Sequence, residues 1–292
     1  MSSRTDSGRS YHKECTGDAL DTAKDHSRDE AITLFGSCFC PFVQRVWIAF
    51  EYLGIPYKVY EVDPYQKPQD LLEVSPKGLV PGLRLNEFNP PRGLNESTVI
   101  LEYLQDLSTA TTSKSLLPSV GNPYARSLVR LQADHVNRNL VPAFYRFLQA
   151  QDPEVQATAG KEYTATIETL VSLLERTERE VVEQGGVFGD GERRALAIGL
   201  GLWFEGGSLG WIDAMAGPWL YRTKVVLGHY RGFKLPSNPK LQNWLDRLFE
   251  YPAFKATRSS DQLYIDSYER YAFNRPNTSQ VANAINSGRA LP

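Results

Sequence analysis

Three groups of residues in this chain have types and spacings that could do chemistry together: a cysteine pair with a proline, a proline between apolar residues, and a glutamate followed by a serine. The first is Ser37-Cys38-Phe39-Cys40-Pro41-Phe42. Val43, Val46, Trp47 and Phe50 follow at i, i+3, i+4 and i+7, the spacing of one helix face. Pro41 suits the first helical position, because its missing N–H has no intrahelical partner there. Cys40 then stands at the helix N-cap, where free backbone N–H groups and the positive end of the helix dipole favour a thiolate. A lowered thiol pKa and a reactive sulfur are the expectation; the bland alternative is a small buried hydrophobe.

The second group is Leu79-Val80-Pro81-Gly82, a proline inside a strand-like run. Proline cannot donate to a sheet ladder, so it marks either an edge or bulge, or a cis Val80-Pro81 bond that turns the Val80 backbone toward a ligand. In the third, Ser97 opens a helix carrying Ile100, Tyr103, Leu104 and Leu107 on one face, and would be its N-cap. That helix start can hold an anionic group, with the Glu96 carboxylate beside it for an amine, although plain capping beside a solvated glutamate explains the same residues.

These groups sit in a β-α-β-α-β-β-α order over residues 31–108, an α/β unit. Ala31–Phe35 and Tyr57–Val62 read as strands, and Leu94–Glu96 as the return strand of a hairpin. Residues 1–30 mix Ser, Asp, Lys and Arg without apolar periodicity and read as a flexible leader, with Cys15 isolated in it. Residues 109–121 form a Ser/Thr-rich linker. Residues 122–260 are all helical: one helix from Pro123 to Ala150 kinked near Pro142, one from Pro153 to about Glu183, one opened by Gly210-Trp211-Ile212-Asp213 and kinked at Pro218, and one marked by Leu241, Trp244, Leu245 and Leu248. Gly185 to Gly207 has no clear pattern beyond a short helix at Glu192–Ile198. Residues 261–292 hold enough tyrosine to pack back on the body as a C-terminal tail.

The 292 residues suffice for two cores. A net charge of -2 gives no reason to expect nucleic acid or an anionic membrane as partner. No apolar run is long enough to span a bilayer, no signal-peptide core precedes residue 30, and three cysteines do not make a secreted disulfide framework, so a cytoplasmic location is the expectation.

A thiol at a helix start, a proline within a strand, a Glu-Ser pair opening the next helix and an all-helical second half together resemble a cytosolic glutathione transferase. Cys40-Pro41-Phe42 is similar to the omega-class motif, and the second half to the fungal omega-like branch. The resemblance implies a thioredoxin-like α/β domain followed by an all-α domain, with glutathione as co-substrate, no metal, and a homodimer. It makes Cys40 the residue that forms a mixed disulfide with glutathione. It places Phe42, Lys67, Val80, the cis-proline Pro81, Glu96 and Ser97 around that molecule, with Lys67 thirteen residues before Val80. The implied chemistry is thiol transfer and reduction on dehydroascorbate, mixed disulfides and glutathionylated phenacyl compounds, through a monothiol route, since Val43 stands where a second cysteine would be. The implied partners are glutathione and small hydrophobic or aromatic electrophiles, for which Trp219, Tyr145, Trp211 and Tyr221 would form the pocket; the other reading is a protein that binds aromatic or polyphenolic small molecules in that same cleft between the domains, with little turnover. Phe42 in place of tryptophan argues against the hydroquinone reductases. Two departures stand out: Gly210 replaces the Ser or Thr of the family's capping box, leaving Asp213, and Cys38 is extra, with packing its expected role.

Overall fold

The protein was studied as a computed structural model, which describes residues 11–112, 114–183 and 199–292. The Glu192–Ile198 helix therefore lies outside the described residues. The sheet has four strands, β1 (Ile32–Gly36), β2 (Lys58–Glu61), β3 (Gly82–Leu85) and β4 (Arg92–Asn95), in the order β2-β1-β3-β4. β1 runs parallel to β2 and antiparallel to β3, and β3 runs antiparallel to β4. β1 is buried along its whole length, as a central strand covered on both faces must be, which is why its sequence is an unbroken apolar run.

The first helix, α1 (Asp18–Asp25), belongs to the stretch expected to be a loose leader. From Tyr11 onward that expectation is wrong. Cys15 is 3% exposed and its N–H donates to Glu61 Oε1 at 2.7 Å, while Lys13 pairs with Asp63 at 3.2 Å and His12 with Asp266 at 3.0 Å. Cys15, Ala19 and Leu20 make an apolar stripe of barely one turn, too short for periodicity to reveal.

α2 (Pro41–Leu53) and α4 (Ser97–Thr111) pack together on one side of the sheet, and α3 (Gln69–Val74) covers the other, its Leu71 and Val74 clustering with Phe35 and Val62. The linker is held down: Leu116 and Leu117 are buried, and the Leu116 N–H is taken by Gln105 Oε1 at 2.8 Å. α5 (Pro123–His135) continues through a π-helical turn at Val136–Leu140 into α6 (Val141–Gln149), so the break precedes Pro142. An extra residue in the turn accommodates a proline that cannot donate. α7 (Pro153–Thr177) packs against α5 and α6. α8 (Trp211–Arg222) is central to the helical half, with all twelve residues buried. It leads through a further π turn at Thr223–Leu227 to α9 (Gly228–Arg231), followed by α10 (Pro239–Glu250), α11 (Pro252–Ala256), α12 (Asp261–Ala272) and α13 (Gln280–Asn286). One hydrophobic cluster runs from Leu34 and Val46 through Trp211 and Trp219 to Tyr268, so the two halves share a core.

Gly210 explains the missing serine or threonine at the start of α8. A Cβ there would lie 2.8 Å from the backbone of Gly201, so the loop closes too tightly for a side chain. Asp213 Oδ2 still accepts the Gly210 N–H at 2.8 Å, which is the reciprocal half of a capping box.

Among the described residues, no helix is long and apolar enough to cross a membrane.

Candidate functional site

Cys40 is the N-cap of α2 and Pro41 its first residue, as the spacing requires. The loop from β1 therefore delivers the thiol to one end of the sheet, beside the turn that enters β3. The Val80-Pro81 bond is cis, and the Cys40 thiol faces the Val80 carbonyl at 3.8 Å. Of the two readings the sequence left open there, the structure selects the second.

A cavity of about 870 Å³ opens at this point. It gathers all seven residues expected around glutathione: Cys40, Phe42, Lys67, Val80, Pro81, Glu96 and Ser97. Lys67 lies across Gly78, where a Cβ would sit 2.5 Å from its Cδ, and its ammonium donates to the Lys77 carbonyl at 3.2 Å. Glu96, not Ser97, is the N-cap of α4, and it holds a left-handed backbone with φ 69°. A non-glycine residue in that region carries strain of about 1–3 kcal/mol. Ser97 is the first residue of the helix, and its hydroxyl accepts a long bond of 3.5 Å from Arg45 Nη1.

The expected downward shift of the Cys40 thiol does not hold. Burial pushes it above its usual 9.0, and this outweighs the N–H groups of Val43 and Phe42 and the charges of Arg222 and Arg45, which pull it down. The helix-start argument counted the dipole and omitted the cost of surrounding the sulfur with protein. Cys38 is buried, its thiol donates to the His12 carbonyl at 3.3 Å, and burial pushes its pKa up to about 12. A thiol so placed is inert near neutrality. All three cysteines are free.

Two arginines that the sequence reading missed shape the field at the sulfur. Arg45 and Arg222 are each 1% exposed, and neither has a carboxylate at ion-pair distance among the described residues. Arg45, whose pKa burial lowers to about 9, donates from Nε to the Met215 carbonyl at 3.0 Å and lies 4.2 Å over the Trp219 ring. Arg222 reaches from α8 into the first domain, donating to the Phe39 carbonyl at 2.9 Å and to Gln44 Oε1 at 2.7 Å. It thus grips both sides of Cys40. Buried charges without partners are costly, and a thiolate at Cys40 is the anion they face. No pattern in the sequence marks them, because α2 and α8 are buried almost all round and leave no polar face to read against.

The four aromatics expected to form a substrate pocket do not line the cavity. Trp219, Trp211, Tyr145 and Tyr221 are 0%, 1%, 2% and 6% exposed. Trp219 packs edge-on against Phe42 at 4.8 Å, Tyr145 leans on Tyr271 at 5.7 Å, Tyr221 donates to Asp261 Oδ1 at 2.6 Å, and the Trp211 N–H donates to the Leu116 carbonyl at 2.7 Å. Large aromatics on central helices fill the core. The cavity wall opposite the glutathione residues comes instead from Asn137 in the π turn, Tyr271 at the end of α12, and residues 277–283. Tyr271 and residues 277–283 belong to the tail, to which the sequence assigns no role, and Asn137 to a helix, since Asn, Thr, Ser and Gln carry no periodic signal.

Residues 34–111 match the family model described as the N-terminal domain of glutathione S-transferase. Among curated proteins, the chain is 27% identical to glutathione S-transferase DHAR2 of Arabidopsis thaliana, across 79% of this chain and 89% of that one. It is 24% identical to glutathione S-transferase omega-1 of Sus scrofa, across 83% and 84%. Among solved structures, glutathione transferase Omega 3C from Trametes versicolor superposes with a TM-score of 0.69 at 28% identity, across 89% of this chain and 98% of that one.

Proposed function

We propose that this chain is an omega-like glutathione transferase whose cleft at Cys40 carries out glutathione-dependent thiol transfer and reduction. The observation that carries this reading is the convergence of Cys40 with Phe42, Lys67, Val80, Pro81, Glu96 and Ser97 on one cavity, in which Cys40 is the one cysteine that takes part. The Lys67 ammonium suits one carboxylate of glutathione. The start of α4 at Ser97 suits the carboxylate at the other end, with Glu96 beside it for the ammonium. The tripeptide then lies along the Val80 backbone with its sulfur at Cys40.

With a mixed disulfide of glutathione, the Cys40 thiolate attacks the glutathionyl sulfur. The Cys40–glutathione disulfide forms, and the substrate thiolate leaves and takes a proton. A second glutathione thiolate then attacks the glutathione sulfur of that disulfide, giving oxidised glutathione and restoring the Cys40 thiolate. Val43, where a resolving cysteine would stand, has no sulfur, so the second thiol comes from solution. Arg45 and Arg222 stabilise the thiolate at both ends of the cycle.

The alternative of a binding protein for aromatic molecules rested on Trp219, Tyr145, Trp211 and Tyr221, and it loses that basis with their burial. The proposal includes glutathione and small electrophiles as partners, a homodimer, a detoxifying or redox role, and a cytoplasmic location.

Replacing Cys40 with Ser tests the reading. Thioltransferase activity should be lost, with glutathione affinity changed less than about threefold, because the remaining contacts to the tripeptide are untouched. Activity near the wild-type level in that variant would refute it.

A further inference from the structure

A second hollow, of about 560 Å³, lies on the helical half, where α6, α7 and α13 meet. α7 turns Glu154, Val155 and Glu162 to it, residues at i, i+1 and i+8 that share one helix face. Arg146 and Gln149 come from α6, and Ile285 and Asn286 from α13. None of these seven residues lines the glutathione cleft.

Gln149 is 4% exposed, and its amide is only half used. Nε2 donates to Asn286 Oδ1 at 2.9 Å and to the Ala282 carbonyl at 3.4 Å; since that carbonyl can only accept, the amide's nitrogen end is the one turned to α13. Oε1 is buried and has no hydrogen-bond partner among the described residues. A buried acceptor left alone is costly, and beside a hollow it is met by a donor that enters there. Charge narrows the choice of donor. The carboxylates of Glu154 and Glu162 outnumber the one cation on this wall, Arg146, whose Nε stands at a loose 3.9 Å from Glu162. An anion would face two carboxylates, whereas a cation is drawn in. Val155, 54% exposed, and Ile285 add aliphatic surface at the same place.

We infer that this hollow is a second binding site, for a small primary alkylamine: the ammonium donates to Gln149 Oε1 and faces the Glu154 and Glu162 carboxylates, and the alkyl stem lies along Val155 and Ile285. An ammonium has three N–H donors, so one of them can serve the amide oxygen while the charge serves the carboxylates. The site uses no residue of the thiol chemistry, and its failure leaves the reading of Cys40 untouched. Nε2 of Gln149 keeps its bonds to α13 when Oε1 gains a donor, so the ligand ties α6, α7 and α13 together and does not part them. The same helix carries Gln280 and Asn283 to the glutathione cleft, which makes α13 the wall that the two sites share.

The test titrates the full chain by calorimetry, near neutral pH, with three probes that share one stem: n-pentylamine, its N-trimethyl analogue, which keeps the charge and has no N–H, and 1-pentanol, which has no charge. The amine should bind about fivefold more tightly than the trimethyl analogue and about tenfold more tightly than the alcohol. Glu154→Gln and Glu162→Gln remove a charge from the exposed side of α7, and each should weaken the amine about threefold while leaving the alcohol where it was. Gln149→Leu should erase the preference for the amine over its trimethyl analogue. Should that variant fail to fold, because it also cuts a tie to α13, the two glutamate variants and the three probes still decide the matter. Equal affinity for the amine and its trimethyl analogue overturns the inference, since water then satisfies Oε1. Amine binding that both glutamate variants leave unchanged overturns it too, by placing the amine elsewhere, and so does the lack of any binding by about 20 mM.

Discussion

Replacing Asp213 with Ala should be among the most damaging single changes in this protein, although the residue touches no ligand. Asp213 is completely buried at the start of α8. Oδ2 accepts the N–H groups of Leu202 and Gly210, each at 2.8 Å, and Oδ1 accepts the Trp244 indole N–H at 2.7 Å. Alanine leaves three buried donors without partners, each worth about 1–3 kcal/mol. Some relaxation of the loop brings the total to about 3–5 kcal/mol. For a protein of this size, that corresponds to a fall in Tm of about 10 °C. Asn keeps the shape and one acceptor but turns an NH₂ group toward N–H donors, so it should recover less than half of the loss. Urea unfolding followed by tryptophan fluorescence reads this directly, because Trp244 loses its own bond and Trp203 lies 5.7 Å from it. Since α8 also carries Arg222, thioltransferase activity should fall at temperatures where the variant is still folded. A loss below about 1 kcal/mol would refute the accounting and show that the loop at 199–210 finds other acceptors.

Two more outcomes follow from the site. Because burial raises the Cys40 thiol above its usual range, the thiol form dominates at pH 7, so its alkylation by iodoacetamide should speed up about tenfold per pH unit between pH 7 and 9. Arg222→Met should slow that reaction further at each pH in this range, and a plateau already reached at pH 7 in the wild type would contradict the electrostatics. Glu96→Gly should relieve the left-handed strain at φ 69° and raise stability by about 1 kcal/mol in thermal unfolding, while weakening glutathione binding by about tenfold in a titration; unchanged binding would remove Glu96 from the site.

The first domain was legible because its signals are local. Pro41 at the first helical position, the apolar face of α2 and the strand-breaking Pro81 each speak within a few residues, while the meeting of Cys40 with Val80 came from the resemblance to glutathione transferases. The opposite wall was not legible for two separate reasons, and the thiol's pKa for a third. Trp219 and Tyr145 looked like pocket residues because aromatic content does not distinguish a pocket from a core. Cys40 and Tyr271 lie more than two hundred residues apart, and only the docking of α12 beside the cleft brings them to one cavity. The thiol's pKa was misjudged because desolvation depends on what the whole fold packs around a sulfur, a quantity with no sequence spacing.

Arg222 grips the Phe39 carbonyl and Gln44 from the helical half, so the nucleophile of one domain is electrically completed by the other. The two halves cannot be treated as a catalytic module and a recognition module. A chimera that kept residues 31–108 and borrowed its helices from a relative would take its counter-charge at the sulfur from that relative's helices. Changes accumulating in α8 can therefore tune how fast the thiol reacts as well as what it reacts with.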